Sequence, residues 1–151
     1  MTLKTAKKAK EQDGPLLIGW REKVSLPELG IGRFVAKIDT GARSAALHAT
    51  DIEMSGHLVR FVVPLAGRNH HCEAPLTGMR WVKSSNGFSE HRAVIETQVR
   101  IGPERFVIEV TLTDRTDMGV PMLLGRSSLG SRFLVHPARS HILSARKRKA
   151  S

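Results

Sequence analysis

An aspartate, a threonine and a glycine follow one another at the end of an apolar stretch of this chain. Residues 34–38 are rich in β-branched and aromatic side chains, which predicts a buried strand. Asp39 lies where this strand ends, and Gly41 permits a tight turn. A carboxylate held there, beside the Thr40 hydroxyl and open backbone amides, can accept hydrogen bonds that tune its pKa. These residues suit general acid–base chemistry, although an ordinary Asx-type turn with a solvated aspartate has the same sequence.

A second apolar stretch, late in the chain, also ends in a glycine. Residues 120–124 predict a strand, and Gly125 and Arg126 follow it. Residues 127–130 then predict a short helix, for which Ser127 is the candidate N-cap.

Asn86 and Gly87 lie between these two stretches and form a strong hairpin signal, because both residues tolerate positive φ. They are flanked by the strand-like segments 80–83 and 91–95. The order along the chain is therefore an acidic turn, a hairpin, and a late Gly-Arg with a helix.

This order resembles that of the retropepsins, the single-domain aspartic peptidases of viral type. The resemblance is closer to a bacterial family named ATP-dependent zinc proteases, whose members are associated with RimK and LysX ATP-grasp ligases. It covers residues 15–143. The motifs that carry it are Ile18-Gly19-Trp20-Arg21-Glu22, Leu26-Pro27-Glu28-Leu29-Gly30, Lys37-Ile38-Asp39-Thr40-Gly41-Ala42-Arg43-Ser44, Val82-Lys83-Ser84-Ser85-Asn86-Gly87, Leu112-Thr113-Asp114-Arg115 and Met122-Leu123-Leu124-Gly125-Arg126.

The resemblance implies an all-β fold, a retropepsin-like closed barrel with a flap hairpin and one short C-terminal helix. It implies that Asp39 is the catalytic residue of an aspartic endopeptidase, supported by Thr40 and Gly41. The implied substrate-binding residues lie in the turn, in the flap and after the late strand: Ala42, Arg43, Lys83, Ser84, Ser85, Asn86, Gly87 and Arg126. An ordinary solvent-exposed hairpin is the alternative interpretation of the flap segment.

Peptide hydrolysis by this route needs two carboxyls that share a proton and face one water. The chain has one Asp-Thr-Gly, and neither Asp114 nor Asp117 repeats that pattern after an apolar strand. We therefore expect a homodimer in which two copies of Asp39 meet at a two-fold axis.

One position departs from the viral pattern. Viral retropepsins carry a second aspartate four residues after the catalytic one, paired with the late arginine, whereas this chain has Arg43 there. Two arginines near the cleft, Arg43 and Arg126, fit an acidic peptide through bidentate contacts. By analogy with the ligase association, the expected substrate is a glutamate-rich extension on a protein.

Two other functions stay open at this stage. The same fold can serve as an inactive module that binds acidic peptides. The net charge of +10, with basic residues gathered at both ends of the chain, also fits a ribosome- or nucleic-acid-associated accessory protein.

The pattern of short strand-like runs and turn signals predicts the barrel that must position these residues. We expect disordered basic tails at residues 1–14 and 144–151, around one domain at 15–143. The predicted strands are 16–20, 23–25, 33–38, 46–53, 57–64, 80–83, 91–101, 104–112, 120–124 and 133–135, with turns at Ile31-Gly32 and at residues 101–104.

The sequence predicts neither a cofactor nor a metal. His70 and Cys72 would share one face of a strand, but a polar loop with a half-buried cysteine is the plainer interpretation of that segment. No phosphate-binding glycine loop follows a strand, so we expect any role of ATP to belong to a partner ligase. With no signal peptide pattern, no apolar run that spans a membrane and the single Cys72, the expected location is cytoplasmic.

Overall fold

The computed structural model of the chain describes residues 14–83 and 86–146, which form mainly β-structure. One α-helix occurs in these ranges, α1 (Arg126–Leu129), together with two short 3-10 helices at Pro27–Leu29 and Thr116–Met118. The strands are β1 (Leu16–Leu26), β2 (Ile31–Ile38), β3 (Ala45–His48), β4 (Thr50–Ser55), β5 (Leu58–Leu65), β6 (Arg68–Pro75), β7 (Gly78–Lys83), β8 (Ser89–Ile101), β9 (Glu104–Thr113), β10 (Met122–Leu124) and β11 (Phe133–Ser140).

Eight of these strands form one sheet in the order β11-β1-β2-β10-β3-β9-β8-β7. Strand β1 also pairs with β8 through Ser25 and Arg100, which closes the strands from β1 to β8 into a ring. Strands β4, β5 and β6 form a separate antiparallel sheet. The predicted all-β architecture, with one short helix near its C-terminal end, is confirmed.

The interior is a single apolar cluster that receives side chains from both sheets. Ile38 and Leu124, the last residues of β2 and β10, belong to it and are buried. Burying each such side chain contributes about 1.5–3 kcal/mol. The core therefore fixes the two strand ends after which Asp39 and Gly125 follow.

The first strand is continuous, whereas the sequence predicted two strands, 16–20 and 23–25. Polar residues interrupt the apolar pattern there, but Glu22 is completely buried and hydrogen-bonded within the strand. Gly19 is needed for packing, because a Cβ atom on it would lie 2.5 Å from the carbonyl oxygen of Arg139. The prediction failed because a buried carboxylate cannot be told from a surface one by pattern alone.

Two further strand predictions were wrong in the region of the smaller sheet. The predicted strand 46–53 is divided between β3 and β4, and Asp51 has a positive φ of 51° near the break. Strand β6, expected to be a polar loop, alternates outward polar residues with inward His70, Cys72 and Ala74. Cys72 is buried rather than half-buried.

Turn and cap predictions had mixed outcomes. The hairpin at residues 101–104 is confirmed by the Glu104–Ile101 pair. Ile31 and Gly32 instead begin β2, and the turn lies earlier, where Gly30 adopts a left-handed conformation. The N-cap of α1 is Gly125 without a side-chain cap, so Ser127 does not cap it.

The last strand, β11, runs on to Ser140 and past Pro137, beyond the predicted end at residue 135. Contacts to the barrel continue to Ser144, whose backbone amide donates to Glu22. The basic residues at 1–13 and 147–151 lie outside the described part of the chain, as do Ser84 and Ser85.

Candidate active site

Asp39 and Gly125 lie side by side because β2 and β10 run parallel. Their last residues, Ile38 and Leu124, are paired in the sheet. Parallel neighbouring strands bring their carboxyl ends to the same edge, so the residues that follow are adjacent in space. The Asp39 backbone amide donates a 2.9 Å hydrogen bond to the Leu124 carbonyl oxygen. The predicted meeting of the acidic turn and the late Gly-Arg segment is thus present within one chain.

The turn that presents Asp39 is tied to the Asp39 carboxylate itself. The Gly41 backbone amide donates to Asp39 Oδ1 at 3.0 Å, and the Ala42 amide donates to the Asp39 carbonyl oxygen at 3.1 Å. A Cβ atom on Gly41 would lie 3.2 Å from Asp39 Oδ1, a tight contact that glycine avoids. The Asx-type turn is therefore real, and it orients a half-buried carboxylate whose neighbours Thr40 and Gly41 are exposed.

The late Gly-Arg segment packs directly against the turn. The amides of Arg126 and Ser127 donate to the carbonyl oxygens of Ala42 and Arg43 at 2.9 and 2.8 Å. A Cβ atom on Gly125 would lie 2.6 Å from the Ser44 carbonyl oxygen, so only glycine allows this approach.

The Arg126 side chain takes part in the same packing. Its Nη1 donates a 2.9 Å hydrogen bond to the Thr40 carbonyl oxygen. This backbone oxygen is the partner of Arg126 where viral retropepsins have an aspartate.

Arg43 is the second arginine of this region, and its side chain is exposed. No ion pair of Arg43 with a carboxylate occurs among residues 14–83 and 86–146. The neighbouring Ala42 is half-buried. The turn thus presents a free cation to solvent close to Asp39 in sequence.

The predicted flap is a hairpin of β7 and β8, with Lys83 paired to Ser89 at its described end. Gly87 has a φ of 91°, and the Phe88 amide donates to Asn86 Oδ1 at 3.2 Å. Lys83, Asn86 and Gly87 are all exposed. Ser84 and Ser85, the other two predicted flap residues, lie outside the described residues.

The hairpin carries large exposed aromatic side chains that the sequence analysis did not single out. Trp81 is 68% exposed and Phe88 is 74% exposed. Trp81 stacks on His91 of the paired strand, with ring centroids 4.6 Å apart. In the sequence, the aromatic residues on either side of the Asn-Gly turn could have indicated this apolar contact surface.

A buried arginine network near the turn was also missed. Arg92 is 5% exposed and donates to Glu90 at 2.8 Å and to the Thr111 hydroxyl at 3.2 Å. Thr111 in turn donates to the Ala45 carbonyl oxygen at 3.1 Å, one residue beyond Ser44. The network links the flap strand β8 to the segment that leaves the turn. In the sequence, the position of this arginine directly before the apolar run 93–95 could have indicated that it is buried.

No cluster of three or more His, Cys, Asp or Glu side chains suited to a metal occurs in the described ranges. His70 and Cys72 do share the inward face of β6, while His71 points outward. Burial raises the pKa of the Cys72 thiol. Its Sγ lies 3.6 Å from the His70 carbonyl oxygen, as expected of a packed thiol.

No helix in the described ranges is long and apolar enough to cross a bilayer.

Sequence comparison finds relatives across nearly the whole chain. The model of a family described as "RimB-like: Retropepsin-like aspartic endopeptidase RimB" matches residues 17–146. A "Probable alpha-L-glutamate ligase" from Shewanella pealeana is 36% identical over 139 residues, which are 87% of this chain and 30% of that protein. A protein of the same name from Parasynechococcus marenigrum is 38% identical over 136 residues, 85% of this chain and 29% of that protein. The chain therefore spans about 30% of the length of the curated relatives it matches.

A solved structure has a similar fold. It is the crystal structure of a protein with unknown function from Legionella pneumophila, 32% identical, with a TM-score of 0.71. The similarity covers 85% of this chain and 98% of that one.

Proposed function

Because the chain belongs to the RimB-like family of retropepsin-like aspartic endopeptidases, we propose that it hydrolyses peptide bonds with Asp39 as the catalytic carboxylate. The observation that carries the proposal is the double support of the Asp39 turn. The Gly41 amide holds the carboxylate from one side, and Arg126 holds the Thr40 carbonyl oxygen from the other. A general acid–base group must be kept in one geometry, and these bonds do so without closing the carboxylate off from solvent.

The proposed active form is a homodimer. An aspartic mechanism needs one ionised and one protonated carboxyl within a few Å of each other. Among residues 14–83 and 86–146, Asp39 hydrogen-bonds to Gly41, Ala42 and Leu124 and not to a second carboxyl. A second copy of the chain, related by a two-fold axis, supplies the second carboxylate in this proposal.

We propose an acidic peptide as substrate, in particular a glutamate-rich extension. Two facts support this choice: Arg43 is exposed beside the catalytic turn, and curated relatives are named as probable alpha-L-glutamate ligases. A ligase that adds glutamate and a peptidase that removes it would act on the same class of chain. The association with such a ligase is part of the proposal.

The hairpin of β7 and β8 is the proposed flap. Lys83 and Gly87 would lie over the bound peptide, and the exposed Phe88 would contact its apolar parts. Closure of such a hairpin excludes water from the reacting carboxyls.

The substitution Asp39→Asn tests this function. It preserves the size of the side chain and one acceptor oxygen for the Gly41 amide, but removes the shared proton. Turnover of a peptide ending in several glutamates should fall at least about a hundredfold. The melting temperature and the affinity for the same peptide should stay close to wild type.

Two other outcomes would indicate a different function. Turnover that survives Asp39→Asn contradicts the peptidase mechanism. A wild-type protein that binds the peptide but never cleaves it, at any pH or concentration tested, is an inactive acidic-peptide-binding module.

A further inference from the structure

A basic cavity lies far along β2 from Asp39. Its volume is about 250 Å³, and Arg33, near the start of β2, is one of its walls. Five residues of extended strand, 34–38, lie between Arg33 and Asp39, which places the two about 20 Å apart. The cavity is therefore separate from the catalytic turn.

Among the described residues, four cationic residues and no acidic residue line this cavity, which we call the basic pocket. The cations come from three different strands and from the segment after β11: Lys23, Arg33, Arg100 and Arg146. Ser25, Gly102 and Ser144 complete the lining. Within the described part of the chain none of the four cations forms an ion pair. Arginines elsewhere, such as Arg80 and Arg115, do pair with carboxylates.

Like charges brought together in this way repel one another, and the repulsion is relieved when an anion binds between them. What distinguishes these four cations from other unpaired arginines, such as Arg43, is that they face a common space, which gives the basic pocket the electrostatics of an anion site. Because the cations converge from separate strands, the ligand must offer oxygens in several directions at once.

The wall of the basic pocket is held by hydrogen bonds and close packing within the chain. The buried Glu22 carboxylate accepts hydrogen bonds from the amides of Leu143 and Ser144 at 3.1 and 2.8 Å. The Ser144 hydroxyl accepts from the Lys23 amide at 3.2 Å. A Cβ atom on Gly102 would lie 2.2 Å from the Leu143 carbonyl oxygen, so the β8–β9 turn packs closely on the same segment.

We infer that the basic pocket binds backbone phosphates of a nucleic acid. Tetrahedral phosphate oxygens accept from several guanidinium forks at once, whereas a planar carboxylate is matched by one. In the sequence, Arg146 is followed directly by Lys147, Arg148 and Lys149, and such a run of positive charge suits a chain of phosphates. None of the described residues that line the pocket is aromatic, and binding is accordingly independent of base sequence.

The test uses the full chain and a fluorescein-labelled single-stranded RNA of about 12 nucleotides. Fluorescence anisotropy is recorded over a range of salt concentrations. The double variant Arg33→Glu/Arg100→Glu should bind at least about tenfold more weakly, with a salt slope lower by about two. A control is Arg68→Glu, which reverses the charge of one exposed arginine on the smaller sheet. It should change the affinity less than about threefold.

Competitors identify the source of the phosphate. Inorganic phosphate and a free nucleotide should compete only at far higher concentration than unlabelled RNA. Equal competition by the free nucleotide contradicts the nucleic-acid assignment, because the pocket is then a small-molecule phosphate site. Competition by an oligoglutamate as strong as that by RNA also contradicts it, since the pocket is then a second subsite for acidic peptide.

A variant with Lys147, Arg148 and Lys149 all changed to glutamine separates the pocket from the basic run. Binding should weaken but still depend on Arg33 and Arg100. If this variant loses all binding while the Arg33→Glu/Arg100→Glu protein binds like the Arg68→Glu control, the inference is wrong. Circular dichroism of each variant verifies that the fold is intact, and peptidase activity provides a second readout that the pocket variants should leave unchanged.

Discussion

The guanidinium of Arg126 donates a 2.9 Å hydrogen bond to the backbone carbonyl oxygen of Thr40, directly beside the catalytic candidate Asp39. Where viral retropepsins pair the equivalent arginine with an aspartate, this chain has Arg43, and the turn is held through its backbone instead. Unlike an aspartate, a backbone carbonyl oxygen is not protonated as the pH falls, so it continues to accept the hydrogen bond. The Arg126 bond is thus independent of the charge of any other side chain, whereas the second support of the turn, from the Gly41 amide, is accepted by the Asp39 carboxylate itself.

The variant Arg126→Gln removes this support. A charge-assisted hydrogen bond is worth about 1.5–3 kcal/mol, and exposure of Arg126 to solvent reduces that figure, so kcat should fall about tenfold. The ratio of catalytic efficiencies for acidic and neutral peptides should change little, because the bond orients the turn rather than the substrate. A large change in that ratio with normal kcat would show that Arg126 contacts substrate directly.

The variant Arg43→Gln should have the opposite profile. Its free cation is the candidate partner of a substrate glutamate, and its loss should raise KM for a glutamate-rich peptide about fivefold while kcat is nearly kept. A neutral peptide should be cleaved with unchanged efficiency. The exposed Arg68 provides the control, since Arg68→Gln alters the net charge equally but lies on the smaller sheet. Equal effects of both variants on the acidic peptide would indicate general charge attraction only.

Specific activity should decrease on dilution. Each chain contributes one Asp39, so a monomer holds half of the required carboxyl pair. Activity per chain should follow the dimer fraction measured by analytical ultracentrifugation, and a mixture of wild-type and Asp39→Asn chains should lose activity in proportion to mixed dimers. Constant specific activity far below the dissociation constant would contradict the two-chain site.

The sequence predicted the Asp39 turn and the strand that ends before Gly125 more accurately than it predicted several strands of the framework around them. The Asp39 turn and Gly125-Arg126 were identified from residue types whose roles are local: an Asx turn, a close backbone approach and a hairpin turn. The barrel followed from strand-like runs with turn signals. Turns and strand-like runs can be recognised from a few adjacent residues.

Glu22 and Arg92 could not be predicted in this way. Both are charged residues buried in strands, and a charged residue in an apolar alternation is normally interpreted as a strand end or a surface position. Their partners are far away in sequence: Glu22 bonds to Ser144, and Arg92 bonds to Thr111. Strand β6 was missed for a related reason, because only its inward residues are apolar or weakly polar.

The buried Glu22 carboxylate gives the last prediction, which concerns acid stability. Burial alone would raise the pKa of Glu22, but hydrogen bonds from the Ser144 hydroxyl and from the amides of Gly19, Ser144 and Leu143 outweigh it and lower the pKa below its ordinary value of 4.5. A carboxyl whose pKa is lower in the folded state stabilises that state above its unfolded pKa. The contribution is therefore complete above about pH 4.5 and is lost as the pH falls through the lower folded pKa.

Glu22→Gln should thus destabilise the protein at pH 7 and much less in acid. The glutamine amide places an N–H group against backbone N–H donors. This should lower the free energy of unfolding by about 3 kcal/mol, which corresponds to a melting temperature lower by about 10 °C. The control is Glu96→Gln, which changes an exposed carboxylate on β8. The measurement is the free energy of unfolding by urea from pH 7 to pH 3. Wild type and Glu22→Gln should approach each other below pH 4.5, because a protonated Glu22 also has only one full acceptor. A difference between the two that stays constant over this range would show that Glu22 contributes through packing and not through its charge.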